Sequence, residues 1–133
     1  MQLLVNIDVN DLPRAAAFYC SALDLAIGRR IGTDVIELLG ASSPIYLLAK
    51  PEGSTPSAFT SQKRHYARHW SPVHLDFVVS DIDAAVEKAV SAGAKLEGPI
   101  QASSWGRLAL LADPFGHGFC LVQFIGNGYD EIT

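Results

Sequence analysis

Between Ser71 and Ala94 the chain changes its hydrophobic period once. His74, Asp76 and Val78 alternate with Leu75, Phe77 and Val79, which predicts a strand with two unlike faces. One face is apolar, and the other begins with a histidine and an aspartate. Asp81 then stands where an N-cap carboxylate can accept from open amides. Ile82, Val86, Ala89 and Val90 follow at helical spacing, and Gly93 sits where a left-handed C-terminal residue is wanted.

The same order occurs seventy residues earlier. Val9 aligns with Val79, Asp11 with Asp81, Ala15 with Ala85, Gly28 with Gly98 and Leu38 with Leu108. Leu3 to Val9 reads as a strand and Asp11 as the cap of a helix running to about Leu23, with Pro13 in its first turn. Strands are then expected around Leu25 to Ile31, Asp34 to Leu39 and Pro44 to Lys50. One ungapped offset with a shared strand, cap and helix order predicts a duplicated module. The offset also makes Glu37 and Arg107 equivalent.

The second copy continues with strands near Ala94 to Glu97, Arg107 to Ala112 and Gly118 to Phe124; Asp113-Pro114-Phe115-Gly116 supplies a turn. The chain thus reads as one domain over residues 1–133. It holds a first module over 1–50, a connection or lid over 51–72, a second module over 73–125 and a polar tail over 126–133. Fold class is α+β, with two βαβββ modules.

Hydrophobic content of 49% and charged content of 18% describe a globular protein with a core of its own. A net charge of −4 gives no reason to expect nucleic acid or an anionic membrane. The basic run at Lys63, Arg64 and Arg68 holds only three cations and does not change that. No apolar run spans a membrane and no signal peptide is visible, so a cytoplasmic location with Cys20 and Cys120 as free thiols is expected.

DLPRAAAFYCSALDL after the first strand, with VHLDFVVSD and ADPFGHGFCLVQF in the second module, resembles the vicinal oxygen chelate superfamily of glyoxalase I, bleomycin-resistance proteins and extradiol dioxygenases. The resemblance implies paired curved sheets around a cavity, helices outside, and a homodimer. In metal-dependent members the ligands come from the first and last strands of each module. The matching positions here are Leu4, a place near Tyr46 or Leu48, His74 and Cys120. Leu4 binds no metal, and Tyr46 is a poor ligand near neutral pH. His74 and Cys120 alone are two donors where catalytic zinc takes three. No metal and no other cofactor is therefore expected, with Asp8, Asp76 or Glu37 held in reserve for a shifted site.

Strand alternation turns Asn6, Asp8, His74 and Asp76 toward the implied cavity, with Tyr46, Leu48, Cys120 and Val122. His74 beside Asp76 is the expected catalytic pair, because imidazole titrates nearest neutrality and a carboxylate orients it. Residues i and i+2 lie roughly 7 Å apart along a strand, so pairing requires the two side chains to lean together. Asn6, Asp8, Tyr46, Leu48, Arg107, Cys120, Val122 and Trp70 are the expected substrate-binding residues. Arg107 would hold a carboxylate or phosphate, and Trp70 with Tyr66 would anchor a lid or dimer contact. His65 and His69 are spaced to share a metal if helical, but no third ligand stands nearby. The expected function is binding of a small organic molecule in that cavity. Alternatives are a metal-dependent lyase, isomerase or dioxygenase of the glyoxalase type, and a protein that sequesters an antibiotic or metabolite.

Overall fold

The first alternating run forms strand β1 over Val5–Val9 in the computed structural model, which describes residues 1–133. Helix α1 covers Leu12–Leu23, capped by the Asp11 carboxylate, which accepts from the Arg14 amide at 3.1 Å. Strands β2 (Ala26–Ile31), β3 (Val35–Leu39) and β4 (Ile45–Ala49) complete the first unit, residues 1–67. Its sheet runs β1-β4-β3-β2, with β1 parallel to β4 and the other pairs antiparallel. Val9, Ile36, Leu38, Ile45 and Leu47 bury one face beneath Ala15, Ala16, Tyr19 and Ala22 of α1. A fully buried Leu or Ile side chain contributes about 1.5–3 kcal/mol by leaving water.

The second unit, residues 68–133, repeats the theme with additions. Strand β5 (Leu75–Val78) leads to α2 (Ile82–Ala92), then to β6 (Lys95–Leu96), β7 (Gln101–Ser103), β8 (Gly106–Ala112) and β9 (Gly118–Phe124). The Asp81 side chain accepts from the Ala84 amide at 3.1 Å, and the Gln123 side-chain oxygen accepts from the Ile82 amide at 2.9 Å. Two of the open amides at the start of α2 are thereby satisfied. Gly93 ends α2 at φ 123°, a conformation that favours glycine, and its amide donates back to Ala89 and Val90. The sheet runs β5-β9-β8-β6, with β7 also on β8, and β5 is parallel to β9. Ile82, Val86 and Ala89 of α2 are buried with Ala109, Leu111, Phe119 and Leu121.

The expected α+β class and the strand–helix–strand order of each module are present. Strand β7 is an addition to the expected elements, and the tail, expected to be merely polar, forms a 3-10 helix over Gly128–Ile132. Tyr129 on that helix packs against Phe124 and Trp105, with ring centroids 4.9 and 5.1 Å away.

Register shows where the seventy-residue offset ends. Val5 pairs with Ile45, and Leu75 with Phe119; 5 to 75 is a shift of 70, whereas 45 to 119 is a shift of 74. Tyr46 and Cys120 are therefore equivalent. So are Glu37 and Leu110, which pair with them. The expected match of Glu37 with Arg107 is corrected: extra residues between helix and hairpin in the second unit move Arg107 to the opposite face.

The connection is irregular but tied down. Gly53 donates to the Arg64 carbonyl and Arg64 to the Ser54 carbonyl, both at 2.8 Å. The Arg64 side chain donates to Asp8 at 2.7 Å and the Tyr66 hydroxyl to the Lys50 carbonyl at 2.6 Å. No helix of the chain is long and apolar enough to cross a membrane.

Candidate functional site

In the second sheet Asp76 pairs with Cys120, which pairs in turn with Leu110. Alternation places these three on the face opposite α2, with Val78, Val122 and Leu108 in the next row. His74 stands just before β5 and leans over Asp76. Its Nε2 lies 3.2 Å from the Asp76 carboxylate, and both side chains are partly exposed. The i, i+2 pair thus closes the gap that strand geometry leaves between them. Cys120 is buried. Burial, then the charge of Asp76 and a hydrogen bond to it, push the thiol up to about 12. At neutral pH the thiol keeps its proton and donates it to Asp76.

One nitrogen of His74, one oxygen of Asp76 and the sulfur of Cys120 all lie within 4.8 Å of one another. Asp76 therefore supplies the third donor that His74 and Cys120 lacked in the sequence. The set fits a borderline-soft divalent ion such as zinc, provided the ion displaces the proton of Cys120. Around the trio the face is apolar, with Val78 and Leu110 well exposed. Leu108 and Leu110 were not foreseen, because the seventy-residue offset assigned their strand to the wrong phase.

The other expected site residues separate into three groups. Asn6, Tyr46 and Glu37 share one row of the first sheet, and Asp8, Leu48 and Val35 the next. The Tyr46 hydroxyl donates to Glu37 at 2.8 Å, and that bond raises its phenol. Glu37, buried in the sheet, also receives the Arg29 amide at 3.1 Å and the Arg29 guanidinium at 2.9–3.2 Å. Those bonds hold its carboxyl down to about 2. Arg107 stands on the α2 side of its sheet and donates to Asp83 at 2.6 and 2.9 Å. Trp70 is exposed, with the Arg68 guanidinium 3.7 Å over its ring. Arg68 also forks onto Glu97 at 2.8 and 2.9 Å. His69 is not on a helix with His65; its Nε2 lies 2.8 Å from Nδ1 of His117.

Two mixed sheets, each with one covering helix and a repeated strand order, define a glyoxalase/bleomycin-resistance type of fold. A model of the glyoxalase-like domain matches residues 4–122, so the chain belongs to that family, within the vicinal oxygen chelate superfamily. Among solved structures, a glyoxalase/bleomycin resistance protein/dioxygenase family enzyme from Burkholderia phytofirmans PsJN superposes with a TM-score of 0.70 at 20% identity, over 92% of this chain and 97% of that one. TnmS3, an antibiotic binding protein from Streptomyces sp. CB03234, superposes with a TM-score of 0.64 at 22% identity, over 94% and 96%. At such identities the likeness is one of fold. An uncharacterized protein of Mycobacterium bovis, Mb0911c, is 39% identical over 64 residues, 47% of this chain and 42% of that protein. The chain thus spans less than half the length of that curated relative.

Proposed function

We propose that the His74 face of the second sheet binds a small organic molecule without a resident metal ion. The observation that carries this reading is the His74–Asp76 pair, 3.2 Å apart, standing beside the exposed apolar side chains of Val78 and Leu110. In the chain without an ion, burial and Asp76 keep the Cys120 thiol protonated, so that it shares its proton with the carboxylate that pairs with His74. With Nε2 turned to Asp76, Nδ1 of His74 is the atom left to meet a ligand, as hydrogen-bond partner or as base. Asp76 orients the ring and balances the charge that forms when the ring takes a proton. Val78, Leu108 and Leu110 supply apolar contact for the body of the molecule, over the buried Val122.

A screen of small organic molecules, read on the methyl signals of Val78, Val122 and Leu110 in the presence of a chelator, tests this directly. Binders that shift those methyls are expected, and their absence overturns the reading. His74→Ala then separates enzyme from sequestering protein: turnover lost with binding kept marks catalysis, and no turnover in either form marks a binder. The antibiotic-binding neighbour supports the second of these outcomes. A homodimer and a cytoplasmic location accompany the proposal; sedimentation tests the first and cell fractionation the second.

The spacing of the three donors favours a second reading, a metal-dependent lyase, isomerase or dioxygenase. His74, Asp76 and Cys120 would hold the ion, which would polarise a ligand carbonyl or acidify a bound water. About one tightly held divalent ion per chain, lost in His74→Ala, would establish it.

A further inference from the structure

Glu37 uses only one edge of the Arg29 guanidinium. The N–H on Nε and one N–H on Nη2 face the carboxylate; the remaining three of the five N–H groups meet no protein acceptor. The side chain is 74% exposed, while its partner is 3% exposed. Arg64, Arg68 and Arg107 differ, with side chains only 16%, 25% and 29% exposed. Arg64 and Arg68 spread over several acceptors, and Arg107 spends its Nη1–Nη2 fork on Asp83. Unlike those three, Arg29 is pinned from behind with that fork open.

A fork of this kind matches the two oxygens of a carboxylate, and fixing the guanidinium beforehand reduces the ordering that binding requires. Its surroundings select further. Ile31 pairs with Val35, on the same face of β3 as Glu37 and Leu39. Ile31 and Leu39 are 50% and 44% exposed. An exposed apolar pair beside an open guanidinium fork suits an amphipathic anion.

We infer that Arg29, with Ile31 and Leu39 beside it, forms a binding site for the carboxylate of an apolar organic acid. Glu37 acts as the positioning residue, holding the fork outward while its own charge limits attraction for simple ions. His74, Asp76 and Cys120 take no part, so this site and the one on the second sheet stand or fall separately.

The test is a titration of the full chain with sodium benzoate, using benzyl alcohol as the uncharged counterpart and sodium chloride as the ionic control. Side-chain signals of all the arginines and the methyls of Ile31 and Leu39 are followed by NMR. Saturable shifts are expected at Arg29, Ile31 and Leu39 with benzoate only, leaving Arg64, Arg68 and Arg107 still. Arg29→Lys keeps the charge and loses the fork, so it should weaken benzoate by roughly tenfold. Ile31→Ser leaves the ion pair intact and should weaken it several-fold, while His74→Ala should leave it unchanged. Equal shifts with chloride or benzyl alcohol, no shift at Arg29, or full affinity in Ile31→Ser overturns the inference, even if Arg29→Lys fails to fold.

Discussion

A β-carbon added to Gly28 would lie 2.6 Å from Oε1 of Glu37. Gly28 sits in the irregular stretch of β2 where register shifts between Ile27 and Arg30. There the chain bulges and brings the Arg29 amide and guanidinium to the same carboxylate. Glycine leaves the room in which that carboxylate is held. Four donor groups pin Glu37, so it cannot swing away from an intruding methyl. Gly28→Ala should therefore cost roughly 1–3 kcal/mol, as overpacking does. Chemical denaturation would show the lowered midpoint, and an unchanged midpoint would mean that the bulge accommodates the methyl.

The carboxyl of Glu37 also predicts how stability follows pH. Its folded value, about 2, lies below the ordinary 4.5. The folded state thus holds the proton less tightly than the unfolded chain. Its stabilising contribution is full above about 4.5 and fades as pH falls toward about 2. Melting temperatures between pH 6 and pH 2 should fall more steeply for the native chain than for Glu37→Gln. Asp83 and Glu97, held low mainly by hydrogen bonds from Arg107 and Arg68, add to the acid sensitivity of both proteins.

Much of this was legible in the sequence, because alternation and capping are local. Asp11 and Asp81 were found as caps, and the apolar faces of β1 and β5 follow from Val5, Ile7, Leu75 and Phe77. His74 and Asp76 stood out as polar residues on one strand face. What escaped depended on register or on distant partners. The 70-to-74 drift between modules concealed that Glu37 answers to Leu110. A bulge has no period, so no pattern in the sequence marks Arg29. His69 meets His117 across 48 positions of sequence, which no local pattern encodes.

Arg68 supports the second unit more than its place in an irregular segment suggests. Its guanidinium is forked onto Glu97 and covers Trp70, and both charged partners are largely shielded from solvent. Glu97→Ala removes the carboxylate from that guanidinium, leaving it the His69 carbonyl and the Trp70 ring, and should cost about 1–3 kcal/mol. Denaturant unfolding measures the loss, and a double-mutant cycle with Arg68→Ala should show the two effects to be strongly non-additive.

The thiol of Cys120 should react slowly with iodoacetamide in the folded chain, since burial first and Asp76 second keep it protonated. Asp76→Asn removes the smaller influence and leaves the larger. The rate should rise, but by no more than roughly tenfold. Mass spectrometry of the labelled chain resolves Cys120 from Cys20. A rate already equal to that of a free thiol would remove the basis for a proton-sharing set.

Metal content is the most direct measurement of the central claim. Protein purified without chelators, native and His74→Ala in parallel, is assayed for divalent ions. A face without a resident metal ion predicts far less than one ion per chain and no difference between the two proteins. Close to one zinc per chain in the native protein, lost with the imidazole, would contradict it and make His74, Asp76 and Cys120 a ligand set.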